Sequence, residues 1–134
     1  ANPNVFIVSL EDSAVCADHV RESAARLGLR NICIHCRPLD AKTGWYDVSE
    51  LLPEEWALVL IDGPRRSVGS RADAPLHLDL SGAVVVADDI QGDGGVSALR
   101  ERLEASHDLV IMNESTQRSF AIGRPKAQAK SEAA

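Results

Sequence analysis

Aromatic residues are scarce, at 4% of 134 positions, yet 45% hydrophobic content leaves enough apolar material for one ordinary core. A single globular unit is the expectation. No apolar run approaches the ~20 residues that a bilayer-spanning helix needs, and the N-terminus lacks the charged and apolar regions of a signal peptide. No membrane role is expected, and the cytoplasm is the default location. A basic surplus is missing too: 14 Lys and Arg stand against 20 Asp and Glu, for a net charge of -6, whereas nucleic-acid binders present a basic face. Nucleic acid is not expected as a bulk partner. The three cysteines, Cys16, Cys33 and Cys36, are an odd count that fits reduced thiols better than a disulfide framework. In "CIHC" the residue types suit zinc, but Cys33 and His35 share one strand face, Cys36 points to the other, and no second ligand pair follows. Buried strand residues are the better reading there.

What the chain does have is a recurrent ending. "VVVADDI" runs from Val84 to Ile90 and stops its apolar stretch at Asp88 and Asp89; "LVLIDGP" stops at Asp62; in "VFIVSLEDS" the apolar run Val5 to Val8 stops a few residues before Glu11 and Asp12. Val5 to Val8 is continuously apolar, as in a parallel strand covered on both faces. Asp12 or Ser13 can cap the helix that follows, in which Cys16, Val20, Ala24 and Leu27 recur at helical spacing until Gly28. Asn31 to Cys36 is the next strand, ended by Pro38. Trp45 to Leu52 reads as loop plus a short helical turn, and Pro53 separates it from a strand over Ala57 to Ile61. After the Asp62-Gly63-Pro64 turn come a polar loop to Arg71, a short helix around Ala74 to Leu80, and a strand over Ala83 to Ala87. Past "QGDGG", Val96, Leu99 and Leu103 mark a helix that Asp93 can cap. Leu109 to Met112 and Ser119 to Ile122 then suggest an antiparallel hairpin. From Arg124 the sequence has nothing to bury, and a disordered tail over 124–134 is expected. Strands alternating with helices imply a mostly parallel sheet with helices on both faces, and such sheets bind ligands at the C-terminal ends of their strands. The acids line that edge.

The order of these pieces resembles a class I S-adenosylmethionine-dependent methyltransferase, from Val5 to about Gly123. The resemblance is carried by "RPL" at Arg37 to Leu39, "WYD" at Trp45 to Asp47, "LVLIDGP" at Leu58 to Pro64, Arg71, and "VVVADD" at Val84 to Asp89. It is similar to a bacterial-type branch whose substrates are small molecules or unknown. The resemblance implies a Rossmann-like α/β domain over 1–123 with a C-terminal antiparallel hairpin. It implies S-adenosylmethionine as cofactor, with Glu11 accepting hydrogen bonds from two ribose hydroxyls, Leu39 and Asp40 near the adenine, and Asp62 beside the cofactor. The purely structural alternative for Glu11 is a first-turn acid of a helix. The chain departs from the family at its start: the first strand, which is the centre of the sheet, and the Gly-rich loop after it have no counterpart, and "GDGG" at Gly92 to Gly95 comes too late in the order. The expectation is a strand supplied from elsewhere, by an N-terminal segment or in a homo-oligomer, because two apolar strand edges would otherwise lie open.

Methyl transfer to oxygen needs an in-line nucleophile more than it needs acids. Asp62, Asp88 and Asp89 resemble the magnesium ligands of catechol-type O-methyltransferases, where a divalent ion orients the acceptor hydroxyl and lowers its pKa. Asp62 satisfying a turn and Asp88 or Asp89 capping the next element is the structural alternative. Where those enzymes place a lysine this chain has Arg65, which is always charged and cannot act as a base, so His77 is the candidate base. Arg65, Arg66 and Arg71 are candidate clamps for an anionic small-molecule substrate. Two rival readings stand beside the methyltransferase: a nucleotide- or sugar-nucleotide-binding α/β domain, and a non-catalytic methyltransferase-like module.

Overall fold

A computed structural model describes residues 5–48, 56–65, 67–90, 95–112 and 119–127. The chain forms two compact units, Ala1–Leu52 and Pro53–Ala134, where the sequence reading expects one. The predicted alternation of strands and helices is present in both.

In the first unit, β1 (Ile7–Glu11) pairs parallel with β2 (Ile32–Cys36), and α1 (Ala14–Arg26) links them. β1 begins two residues later than the apolar run suggests, so Glu11 is its last residue rather than a loop residue. Ser13 is the N-cap of α1, its hydroxyl accepting from the Cys16 N–H at 3.4 Å. Gly28, at φ 65°, ends the helix: its N–H donates to the Ala25 carbonyl and the Leu29 N–H to the Ala24 carbonyl, a double closure that relies on a left-handed residue. The buried stripe of α1 is Ala17 and Ala24 with Val20 between them; Cys16 and Leu27, expected on that stripe, are exposed. Cys33 and His35 do share a strand face, Sγ to Nε2 at 3.1 Å.

In the second unit the strand order is β3-β4-β6-β5, made of Leu58–Ile61, Val84–Ala87, Phe120–Pro125 and His107–Met112 respectively. β3 and β4 are parallel, while β6 runs antiparallel to both β4 and β5, as the hairpin reading expects. β6 continues to Pro125, pairing Arg124 with Asp108 and Pro125 with His107, and the Lys126 N–H donates to the Ser106 carbonyl at 2.8 Å. Order therefore extends past Gly123, where the tail was expected to begin, because β5 offers backbone partners to these residues.

Alternation along the strands separates two faces. Ile61, Val85, Ala87, Ala121 and His107 are buried, and α3 (Gly95–Leu103), which packs against β5, contributes the fully buried Leu99 and Leu103. The opposite face carries Leu58, Leu60, Val110 and Met112, all at least 45% exposed. His107 lies across β6: its Nε2 meets the Ala83 carbonyl at 3.0 Å and its Nδ1 the Ser106 hydroxyl at 2.8 Å. A bare Gly123 makes room, since a Cβ there would sit 3.4 Å from the ring of His107 and 3.3 Å from Leu109. Among the described residues no helix is long and apolar enough to cross a membrane.

Candidate functional site: an arginine among the strand-end acids

β3 and β4 run side by side in the same direction, so their last residues deliver Asp62 and Asp88 to one end of the sheet. The Gly63–Pro64 peptide is cis and Pro64 is fully buried. Arg71 comes to this end on a one-turn 3-10 helix, Arg71–Asp73, capped by the Ser70 hydroxyl, which accepts from the Ala72 N–H at 3.3 Å. The turn is anchored by Ala72 and Ala74, at 1% and 0% exposure, and α2 (Ala74–His77) continues it. Arg102 of α3 pins it from the other side, donating to the Ala72 carbonyl at 2.7 Å and pairing with Asp73.

Arg71 is thereby held with only 13% of its side chain exposed, and its guanidinium serves four acceptors. Nη1 donates to the Asp88 carbonyl at 2.9 Å and lies 3.2 Å from Asp62 Oδ1 and 3.6 Å from Asp89 Oδ2; Nε reaches the Pro64 carbonyl at 3.4 Å. Asp89 makes this possible by taking a left-handed backbone, φ 51°, tolerated in Asp because its short side chain bonds locally. The Asp88 carboxylate turns to its own chain instead, Oδ1 accepting from the Asp89 N–H at 2.8 Å. Asp62 and Asp89 thus converge, as the sequence suggests, but on a guanidinium.

The magnesium reading gains no support at this end of the sheet. Among the described residues no group of three or more His, Cys, Asp or Glu side chains is placed to hold a metal ion. The physical reason is local: a fixed positive charge stands where the cation would, and Asp88 Oδ1 is occupied by a backbone donor. The residues do not fit the ion. Arg71, a candidate for the substrate clamp, organises the acids. The signal was in the sequence, as one arginine between "DGP" and "ADD", but no spacing rule says that it folds back onto both. Arg65 stands exposed in the same loop, His77 closes α2 partly buried, and Arg66 and Gly92 to Asp93 lie outside the described residues.

In the first unit, Glu11 ends β1 partly buried, with the Ser9 hydroxyl donating to its Oε1 at 3.4 Å and its carbonyl accepting from the Arg37 N–H at 2.8 Å. Its carboxylate is therefore presented at the C-terminal end of the strand. Asp40 is committed locally: Oδ1 accepts from the N–H groups of Lys42 and Thr43 at 2.9 and 2.8 Å, which hold its carboxyl below the ordinary range. The same loop buries Trp45, edge-on to Tyr46, and joins Leu39 to Tyr46 by an isolated bridge.

No family model and no curated protein sequence matches the chain. Solved structures do. A precorrin-6y C5,15-methyltransferase from Geobacter metallireducens GS-15 superposes on 93% of this chain with a TM-score of 0.56 at 18% identity, and the match spans 69% of that protein. A dimethyladenosine transferase from Plasmodium falciparum matches 90% of this chain with a TM-score of 0.51 at 12% identity, over 48% of its own length. The chain has the Rossmann-like α/β fold of these methyltransferases.

Proposed function

We propose that the chain is an S-adenosylmethionine-dependent methyltransferase domain that methylates an oxygen of a small molecule, without a divalent ion among Asp62, Asp88 and Asp89. The observation that carries this reading is the superposition of 93% of the chain on a methyltransferase. The cofactor supplies an electrophilic methyl group on a sulfonium. Glu11 fits it, because a strand-end carboxylate offers two acceptor oxygens to a vicinal diol. Asp40 contributes through Oδ2, its Oδ1 being spent on the turn.

The acceptor falls to Asp62, Arg65 and His77. Arg71 fixes the direction of the Asp62 carboxylate, and a fixed acceptor can orient a substrate hydroxyl, where positioning supplies much of the rate. Arg71 is engaged by two acids, and the exposed Arg65 is the candidate partner for an anionic group on the substrate. His77 is the candidate to take the proton released on transfer. A net charge of -6 argues for a small molecule over a nucleic acid.

The test is transfer of labelled methyl from S-adenosylmethionine to a panel of small hydroxylated molecules, run with a chelator and with added magnesium. Transfer that is equal in both is the expected result. Transfer that appears only with magnesium would return the ion to the acids; binding of S-adenosylhomocysteine with no transfer to any acceptor would favour the non-catalytic module.

A further inference from the structure

The run "CIHC" has the C-x-x-C spacing of a dithiol redox pair. β2 decides what that spacing can do. Alternation along the strand puts Cys33 and His35 on one face and Cys36 on the other, and three residues of strand separate the Cα atoms of the two cysteines by about 10 Å. A disulfide tolerates no more than about 7 Å. Cys33 therefore cannot close onto Cys36. Its partner is His35, whose Nε2 lies 3.1 Å from the Cys33 Sγ. Among the described residues, Cys33 alone of the cysteines has a histidine at hydrogen-bond distance. Register places Val8 beside Cys33 and Leu10 beside His35, so no carboxylate of β1 competes for the imidazole on that face. Arg21 of α1 anchors the same stretch, its Nη2 donating to the Ile34 carbonyl at 3.2 Å while Nη1 pairs with Asp18.

We propose that Cys33 is a modification site: a nucleophilic thiol, with His35 as its base, that exchanges with small disulfides. With its own proton on Nδ1, the imidazole offers the Nε2 lone pair to the thiol S–H. The thiolate is the species that attacks a disulfide sulfur. As the S–H proton passes to Nε2, Cys33 Sγ bonds to one sulfur of the incoming disulfide and the S–S bond of that molecule breaks. The departing thiolate takes the proton from the imidazolium and leaves as a thiol. Cys33 is oxidised to a mixed disulfide and the departing sulfur is reduced, so the small disulfide is the only co-reactant. Because Cys36 stands out of reach, it cannot expel the adduct, which stays until an external thiol reverses the exchange.

Hydroxyethyl disulfide, small and uncharged, is the probe, and peptide mass mapping reads the adduct at each cysteine of the full chain. Cys33 should be modified faster than Cys16 and Cys36, although it is partly buried and they are exposed. His35→Gln should slow Cys33 by about 100-fold, the lower end of what a positioned base supplies, and leave the other two rates unchanged. A packing role for His35 predicts the opposite sign, since removal of the ring would open Cys33 to the probe. In denaturant the three rates should converge; circular dichroism confirms that the variant is folded. The proposal is overturned if Cys33 reacts no faster than Cys16 and Cys36 in the folded wild-type chain, if its lead survives in denaturant, or if His35→Gln leaves its rate unchanged or raises it. A Cys33–Cys36 disulfide in the folded chain would overturn it too.

Discussion

At the scale of single residues, the decisive side chain is Arg71, because one guanidinium answers two carbonyls and two carboxylates at once. Arg71→Met would leave the Asp88 carbonyl without its donor and Asp62 and Asp89 as neighbouring like charges. Asp62 is 67% exposed and Asp89 39%, so solvent screens much of the ion-pair contribution and the backbone bond dominates. A loss of about 1–3 kcal/mol in denaturant unfolding is expected. Arg71→Lys should recover only part of it, since an ammonium lacks the planar fork. Asp40 gives a pH prediction. Two backbone N–H bonds lower its carboxyl in the folded chain, so its stabilising contribution is present above the unfolded pKa and disappears as pH falls through the folded value. Protection of the Lys42 and Thr43 amides, measured against their intrinsic exchange rates at each pH, should fall in acid, and in Asp40→Ala should already be low at neutral pH. Equal exchange in the two proteins would show that the turn holds without the carboxylate.

At the scale of elements, two glycines set how closely the pieces of the second unit approach. Gly95 opens α3 against the Ile90 backbone, and a Cβ there would collide with the Ile90 carbonyl oxygen, an atom that cannot rotate away. Alanine should gain about 1 kcal/mol of helix propensity and still lose overall, because the helix start must shift; a net loss of about 1–3 kcal/mol is expected by thermal unfolding. At Gly123 the neighbours are side chains at 3.3 and 3.4 Å, which can yield, so Gly123→Ala should be milder than Gly95→Ala. The reverse order would place the tight contact at β6 instead. His107→Leu keeps the volume but leaves the Ala83 carbonyl unanswered, for about 1–3 kcal/mol.

At the scale of the whole molecule, the functional proposal makes a thermodynamic claim. A ligand that binds only the folded chain stabilises it by about 2.7 kcal/mol at one hundred times its Kd. S-Adenosylhomocysteine should therefore raise the unfolding temperature. Glu11→Gln should weaken its binding by about 1–3 kcal/mol in calorimetry, through the loss of a charge-assisted hydrogen bond. Unchanged affinity would remove Glu11 from the cofactor site.

The local order of the chain was legible in the sequence because it depends on neighbours in sequence. Ser13 caps α1 and Gly28 ends it since each works on backbone groups within a few residues, and the apolar runs of β3 and β4 form strands that stop at their acids. The hairpin of β5 and β6 follows from two short β-prone runs close together. Tertiary structure alone decided the rest. That Asp62 and Asp89 meet an arginine depends on where a loop folds back, that β6 continues through Arg124 and Pro125 depends on partners in β5, and that Leu58 and Leu60 are exposed depends on what packs over their face of the sheet. Periodicity says which residues share a face; only the packing of other elements determines whether that face is covered.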